Sequence, residues 1–238
     1  MTSTATFTSR AGAHARIYQA AIRLFAERGA DVVTVSELAD AAGIARGTVY
    51  NNIRNPDALF SDIAGGLAGE MIARVEATMA GIDDPVTRLS TGLRLFVRRA
   101  HNEPDWGRFM VRFLLSHDAL RHMMDNPPAR DIAQSIETAR FKTEPAKIKA
   151  LVSMLAGSVQ ASMYAVLSGH QTWREAGSDA AELFLRAGGV GAIEAKRIAR
   201  SDLPQLAPAG QLGSRRQNAK KRISATQANH RRKNADGS

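Results

Sequence analysis

The sequence predicts an all-α protein with an N-terminal three-helix helix-turn-helix domain and a larger helical bundle behind it. Three observations carry that expectation. Apolar residues recur at i, i+3, i+4 and i+7 along most of the chain, between recognisable start and stop signals. No stretch shows the apolar–polar alternation of a half-buried strand bounded by turn residues. Alanine is abundant while aromatic residues make up only 5% of the chain, a composition that favours helix over sheet.

The elements follow in order. Residues 1–12, rich in Thr, Ser and Ala, read as a disordered arm. A first helix is expected from about His14 to Arg28, with Ile17, Ala20, Ala21, Leu24 and Phe25 on one face and Gly29 as its stop. Thr34 and Glu37 form a T-x-x-E capping box that opens a second helix, on which Leu38, Ala39 and Ala42 face inward. Gly43 supplies the tight turn, and Ile44, Val49 and Ile53 give the next helix its apolar side. Asn55 as cap and Pro56 at the first helical position open a long helix to about Ala80, in which Gly65, Gly66 and Gly69 suggest a bend. Asp84-Pro85 opens a helix to Asn102, Pro104 one to Leu115, and shorter helices are expected over 118–125 and 129–141. Pro145 begins a long apolar helix closed by Gly169, and a last helix is expected over 178–199. From Ser201 the chain turns polar and basic, the composition of a disordered tail. The expected division is therefore 13–54, 55–200 and a tail over 201–238.

The residues left outside on the third helix are Arg46, Gly47, Thr48, Asn51 and Asn52, short or able to donate hydrogen bonds. Such a face suits the major groove, where base edges present donors and acceptors. Arg46 is the candidate for a bidentate guanine contact, and Asn51 and Asn52 for adenine. Thr34, at a helix N-terminus, is a candidate phosphate contact.

Thr34, Val35, Leu38, Ala39, Ala42, Gly43, Ile44, Gly47, Val49, Tyr50 and Leu59 stand at the spacing of the TetR family of transcriptional regulators, which this segment resembles. By that resemblance Thr48 lines the groove and the Tyr50 hydroxyl binds phosphate. Ala45, Ile53 and Pro56 stand where the family usually has serine, phenylalanine and lysine. The resemblance further implies a homodimer built on the last two helices, a repressor bound to a palindromic double-stranded operator, and a small-molecule effector. Trp106, Phe109, Met110, Phe113, His117, Met123 and Met124 are the candidate effector lining, since aromatic and thioether groups suit a mostly apolar ligand.

Composition narrows the rest. There is no cysteine, so disulfides, thiolate metal sites and cysteine nucleophiles are excluded. No catalytic signature is present, no cofactor is implied, and Asp118, His122 and Asp125 read as surface pairing rather than a metal site. The first sixteen residues have no apolar h-region, and no uninterrupted apolar run approaches the roughly 18 residues of a membrane span, so a cytoplasmic protein is expected. Of the net charge of +9, residues 201–238 contribute eight Lys/Arg against Asp202 and Asp236. A tail of that kind makes a sequence-tolerant architectural DNA-binding protein the alternative reading.

Overall fold

The computed structural model describes residues 3–53, 55 and 58–209, and all regular structure among them is helical. The helices are α1 (Ser3–Arg28), α2 (Val35–Ala42), α3 (Arg46–Asn52), α4 (Leu59–Thr78), α5 (Pro85–Asn102) and α6 (Pro104–Phe113). They continue as α7 (Asp118–Asp125), α8 (Pro127–Glu137), α9 (Ile148–Leu167), α10 (Trp173–Ala187) and α11 (Ala192–Ala199). A 3-10 turn, Pro145–Lys147, leads into α9.

Helices α1 to α3 close on Ile17, Ala21, Leu38, Ala39 and Val49, each no more than 3% exposed. Behind them α5 is the central helix of the body, packed by α6, α8, α9, α10 and α11. One continuous buried cluster runs from Ile17 to Ala199, so no solvent layer divides the two parts. Asp84 accepts from the Thr87 amide as the N-cap of α5, and Pro85 sits in its first turn. Gly107 lets α6 approach α5 closely, because a Cβ there would lie 3.0 Å from the Ala100 backbone.

Several expectations are corrected. Helix α1 extends back to Ser3 through most of the segment read as a disordered arm; its Thr, Ser and Ala contain no proline, and Gly12 alone does not stop a helix. Helix α4 is described from Leu59 behind the cap Ala58 and is helical through Gly65, Gly66 and Gly69; the start expected at Pro56 lies outside the described residues. The expected last helix is two. A capping box of Thr172 and Glu175 starts α10 earlier than its apolar pattern suggests, and Gly188-Gly189 separates it from α11, Gly189 adopting φ +97°.

The tail expectation fails at its beginning. Residues 201–207 form an extended strap across α4 and α5. Arg94 donates to the Ser201 carbonyl at 2.6 Å, Arg98 to Pro204 at 2.6 Å and Arg74 to Ala207 at 2.7 Å. The strap satisfies its carbonyls on guanidinium groups, so it needs no regular structure. The basic clusters expected at 215–233 lie outside the described residues.

One helix of the body is notably apolar. The segment Pro145–Leu167 is long and apolar enough, at mean hydropathy 1.5, to match a membrane span by length and composition. Its Leu, Val, Ile and Met residues raise the average, while Lys147, Lys149, Ser153, Ser158, Gln160 and Ser162 interrupt the run. In this fold it is a packed helix against α5, α6, α8 and α10.

Candidate nucleic-acid interface and effector cavity

Helix α2 is positioned from its first residue. The Thr34 hydroxyl accepts from the Glu37 amide at 3.3 Å, and the Glu37 carboxylate takes the Thr34 amide and hydroxyl, both at 2.9 Å. Arg28 at the end of α1 pairs with the same carboxylate. The Thr34 hydrogen bonds, then Arg28, hold the Glu37 carboxyl below the ordinary carboxylate range. Gly43 takes the left-handed conformation at φ 63°, ψ 43°, and the Ile44 amide returns to the Ala39 carbonyl at 3.0 Å. This C-terminal turn sets the angle at which α3 leaves.

Helix α3 is held by one fully buried plug, Val49, with Ile53 at its end. Its cap residue Ala45 offers no side-chain hydrogen bond. Arg46, Gly47, Tyr50 and Asn51 are exposed and Thr48 half-buried, so these five sequence candidates share one surface. Tyr50, at 60% exposure, is one of the few large side chains left outside. Two candidates are engaged internally. The Asn52 amide donates to the Thr48 carbonyl at 2.8 Å, and Thr34 is committed to Glu37. The Glu37 carboxylate also occupies the helix N-terminus where a phosphate was expected.

The effector candidates divide in two. Phe109, Phe113 and His117 do not line the apolar cavity between α4 and α9. They surround Phe60 on α4, with ring centroids at 5.7, 4.7 and 5.1 Å, and Phe25 of α1 meets the same ring at 5.3 Å. That cluster joins α1, α4 and α6. Beside it Arg112 donates to the Ala26 and Glu27 carbonyls, both at 3.2 Å, closing the exposed end of α1. Met110 is fully buried, and Trp106 lies under the Arg99 guanidinium at 4.3 Å.

The cavity itself encloses about 490 Å³, part of it open to solvent, between α4, α5, α7, α8 and α9. Met123 and Met124 are the sequence candidates on its wall; Val75, Leu93, Phe96 and Val159 supply further apolar surface. Three lining residues that the sequence reading missed are charged: Glu76, Arg88 and Asp131. Arg88 donates to Glu76 at 2.9 Å and Asp131 at 3.0 Å, and caps the end of α4 through the Met79 carbonyl at 3.1 Å. Arg130 adds a second cation, 3.2 Å from both carboxylates. Asp131, only 4% exposed on its side chain, is paired with both arginines. No local spacing signals this cluster, since its members come from three helices.

Comparisons with known proteins agree with this architecture. The family model described as bacterial regulatory proteins, tetR family, matches residues 17–63, and the one described as Tetracyclin repressor-like, C-terminal domain, matches 84–201. Two curated relatives are the HTH-type transcriptional repressor KstR2 of Rhodococcus jostii and the HTH-type transcriptional repressor Rv1474c of Mycobacterium tuberculosis. The first is 26% identical over 50% of this chain and 55% of its own length, the second 33% over 39% and 54%. The chain thus spans about half the length of these relatives. Among solved structures, RolR in complex with resorcinol is 28% identical, covering 84% of this chain and 99% of that one at a TM-score of 0.62.

Proposed function

This chain belongs to the TetR family of bacterial regulators, and from that premise we propose that it is a sequence-specific transcriptional repressor released from a palindromic operator by a small, mostly apolar effector. The observation that carries the proposal is the outer surface of α3. It is short, built on a single buried plug, and presents Arg46, Gly47, Thr48, Tyr50 and Asn51 together. Arg46 reads a guanine, Tyr50 and Thr48 hold the backbone, and Gly47 permits close approach. Residues 13–54 form the DNA-binding unit, and 55–200 the effector and dimerisation unit. It acts by binding equilibria rather than turnover.

The partner copy docks on the outer faces of α9 and α10. Of the apolar residues these helices carry, Leu155, Val159, Met163 and Phe184 are buried in the chain's own core. Met154, Tyr164 and Leu183 are exposed instead, at 38%, 56% and 62%, beside the small residues Gly157 and Ala161. A two-fold dimer on this face carries two α3 helices to a two-fold operator.

The effector occupies the cavity between α4 and α9, its apolar body on Val75, Leu93, Phe96 and Met123 and a polar group near Arg88. The resorcinol bound by RolR is of that chemistry, a ring with hydroxyl groups. Binding there moves α4 relative to α5, and the shift reaches α1 through the Phe60 cluster and Arg112. It works only if the effector prefers the released arrangement over the DNA-bound one.

Selection from random duplex DNA at about 150 mM salt, with and without residues 210–238, tests this reading. The expected product is a palindromic consensus that survives the deletion. Arg46→Ala should then relax one base position per half-site by about 1–3 kcal/mol. Tight binding without any consensus, lost on deletion, would replace it with the architectural reading.

A further inference from the structure

A third concave region lies apart from α3 and from the apolar cavity. It is a polar recess of about 890 Å³, open mouth included, lined by Arg94, Arg98, Trp173, Arg174, Arg200 and Asp202. It forms where α5, the start of α10 and the strap meet. On the other side of the strap is a second recess that also touches Arg98 and Trp173 but is walled by Arg74, Arg99 and Glu103. The two differ in how their charges are answered.

On the second side every arginine except the shared Arg98 has a carboxylate. Arg74 meets Glu70 at 2.8 Å, and Arg99 meets Glu103 at 2.9 Å and Glu70 at 3.1 Å. On the first side the acceptors are neutral. Arg94 donates to the Ser201 carbonyl, and Arg98 to Leu203 at 3.3 Å and Pro204 at 2.6 Å. A carbonyl satisfies an N–H but cancels no charge. Arg174 lies 4.2 Å over the Trp173 ring and Arg98 5.8 Å from it, so the indole gathers two guanidinium groups without neutralising them. Arg200 reaches Asp179 only at 3.8 Å, and Asp202 is the one acid on the wall. Four guanidinium groups therefore converge with two carboxylates nearby. Burial, then the charge of Arg98, holds Arg94 below the ordinary guanidinium value against the opposing pull of Asp202; burial, then Arg174, lowers Arg98. Among the described residues the recess gathers more guanidinium than carboxylate charge.

We infer that this recess is a second ligand site, which takes a small oxyanion, a phosphate or a carboxylate, between Arg98, Arg174 and Arg200. Guanidinium forks match both anions with paired, charge-assisted hydrogen bonds. The indole face of Trp173 gives an attached organic group something to rest on. Arg94 and Arg98 sit on α5, whose Leu89, Leu93 and Phe96 line the apolar cavity. An anion that tightens the strap on α5 therefore acts on the same helix as the effector.

The test is calorimetric titration of the full chain with inorganic phosphate, pyrophosphate and benzoate at constant ionic strength, with sodium chloride as the reference. Arg174→Glu and Arg200→Glu are the variants. Both side chains are exposed and neither supports the strap, so circular dichroism and Tm without added anion should match the wild type. The basic residues beyond 209 are present throughout, and their non-specific contribution cancels in the comparison. Saturable binding of phosphate or of benzoate, weakened about tenfold or more in each variant, is the expected result, and which anion binds identifies the class. No saturable heat with any of the three, or equal affinity in wild type and both variants, overturns the site. Neither result depends on whether an operator is found.

Discussion

At the scale of single residues, the structure commits some of the polar side chains around α3 to holding the fold. The polar atoms of Thr34 and Asn52 are bound to Glu37 and to the Thr48 carbonyl. Asp84 is the clearest structural carboxylate. Burial opposes its charge, but hydrogen bonds from Arg140 and Thr87 outweigh that and hold its carboxyl below the ordinary range. A depressed folded pKa means stability that is present above the unfolded value of about 3.9 and is lost as pH falls through the folded one. Asp84→Asn keeps a cap acceptor and loses the charge facing Arg140, which lies at 3.0 Å. It should cost roughly 1 kcal/mol in urea unfolding at pH 7, after allowance for partial exposure. That deficit should shrink below about pH 4; a cost that does not change with pH would assign Asp84 a capping role alone.

At the scale of elements, the helix starts were legible because the signals are local. Thr34 with Glu37, Asp84 with Pro85, and Pro104 each act within one turn of the helix they open. The break between α10 and α11 was not, although Gly188-Gly189 is plain in the sequence. A glycine pair inside an apolar pattern reads equally as tolerated residues, and only Phe141, from a distant loop, decides. A Cβ on Gly188 would lie 2.6 Å from the Phe141 ring, itself 2% exposed, and the Gly188 carbonyl accepts from the Lys142 amide at 2.7 Å. Gly188→Ala should destabilise by about 1–3 kcal/mol through overpacking. Adding Phe141→Leu should restore part of that loss, and if the double variant recovers nothing the ring is not the obstacle. Arg112 makes a separate case, tying α6 to the end of α1. Arg112→Ala should raise hydrogen exchange across α1–α3 while α5 and α9 stay protected. Uniform exchange throughout would instead show that the two parts open together.

For the whole molecule, the strap and the cavity set what can move. Residues 201–207 bind arginines from α4 and α5, so they clamp two of the cavity's walls together. A chain ending at residue 209 should keep the wild-type Tm. One ending at residue 200 leaves Arg94, 7% exposed, without its acceptor and should lose about 3 kcal/mol, a Tm drop on the order of 10 °C. Equal Tm values for the two truncations would make the strap a passenger. The cavity reads the same way. It is apolar with one charged corner at Arg88, and that corner touches the carbonyls ending α4. An effector reaching Arg88 thus addresses the helix that follows the DNA-binding unit.

The sequence by itself determined the all-α class, the helix-turn-helix and the face of α3 that meets solvent. Caps, a left-handed glycine and the helical period act between residues three or four positions apart, and those distances are readable along a chain. Only the tertiary structure decided which aromatic residues bridge to α1 and which methionines line the cavity. It also decided which apolar face of α9 remains outside, and that residues 201–207 are gripped rather than free. Each of those depends on which of several equivalent apolar or basic faces meet. That choice is made by packing between helices far apart in sequence, where one pattern fits many partners.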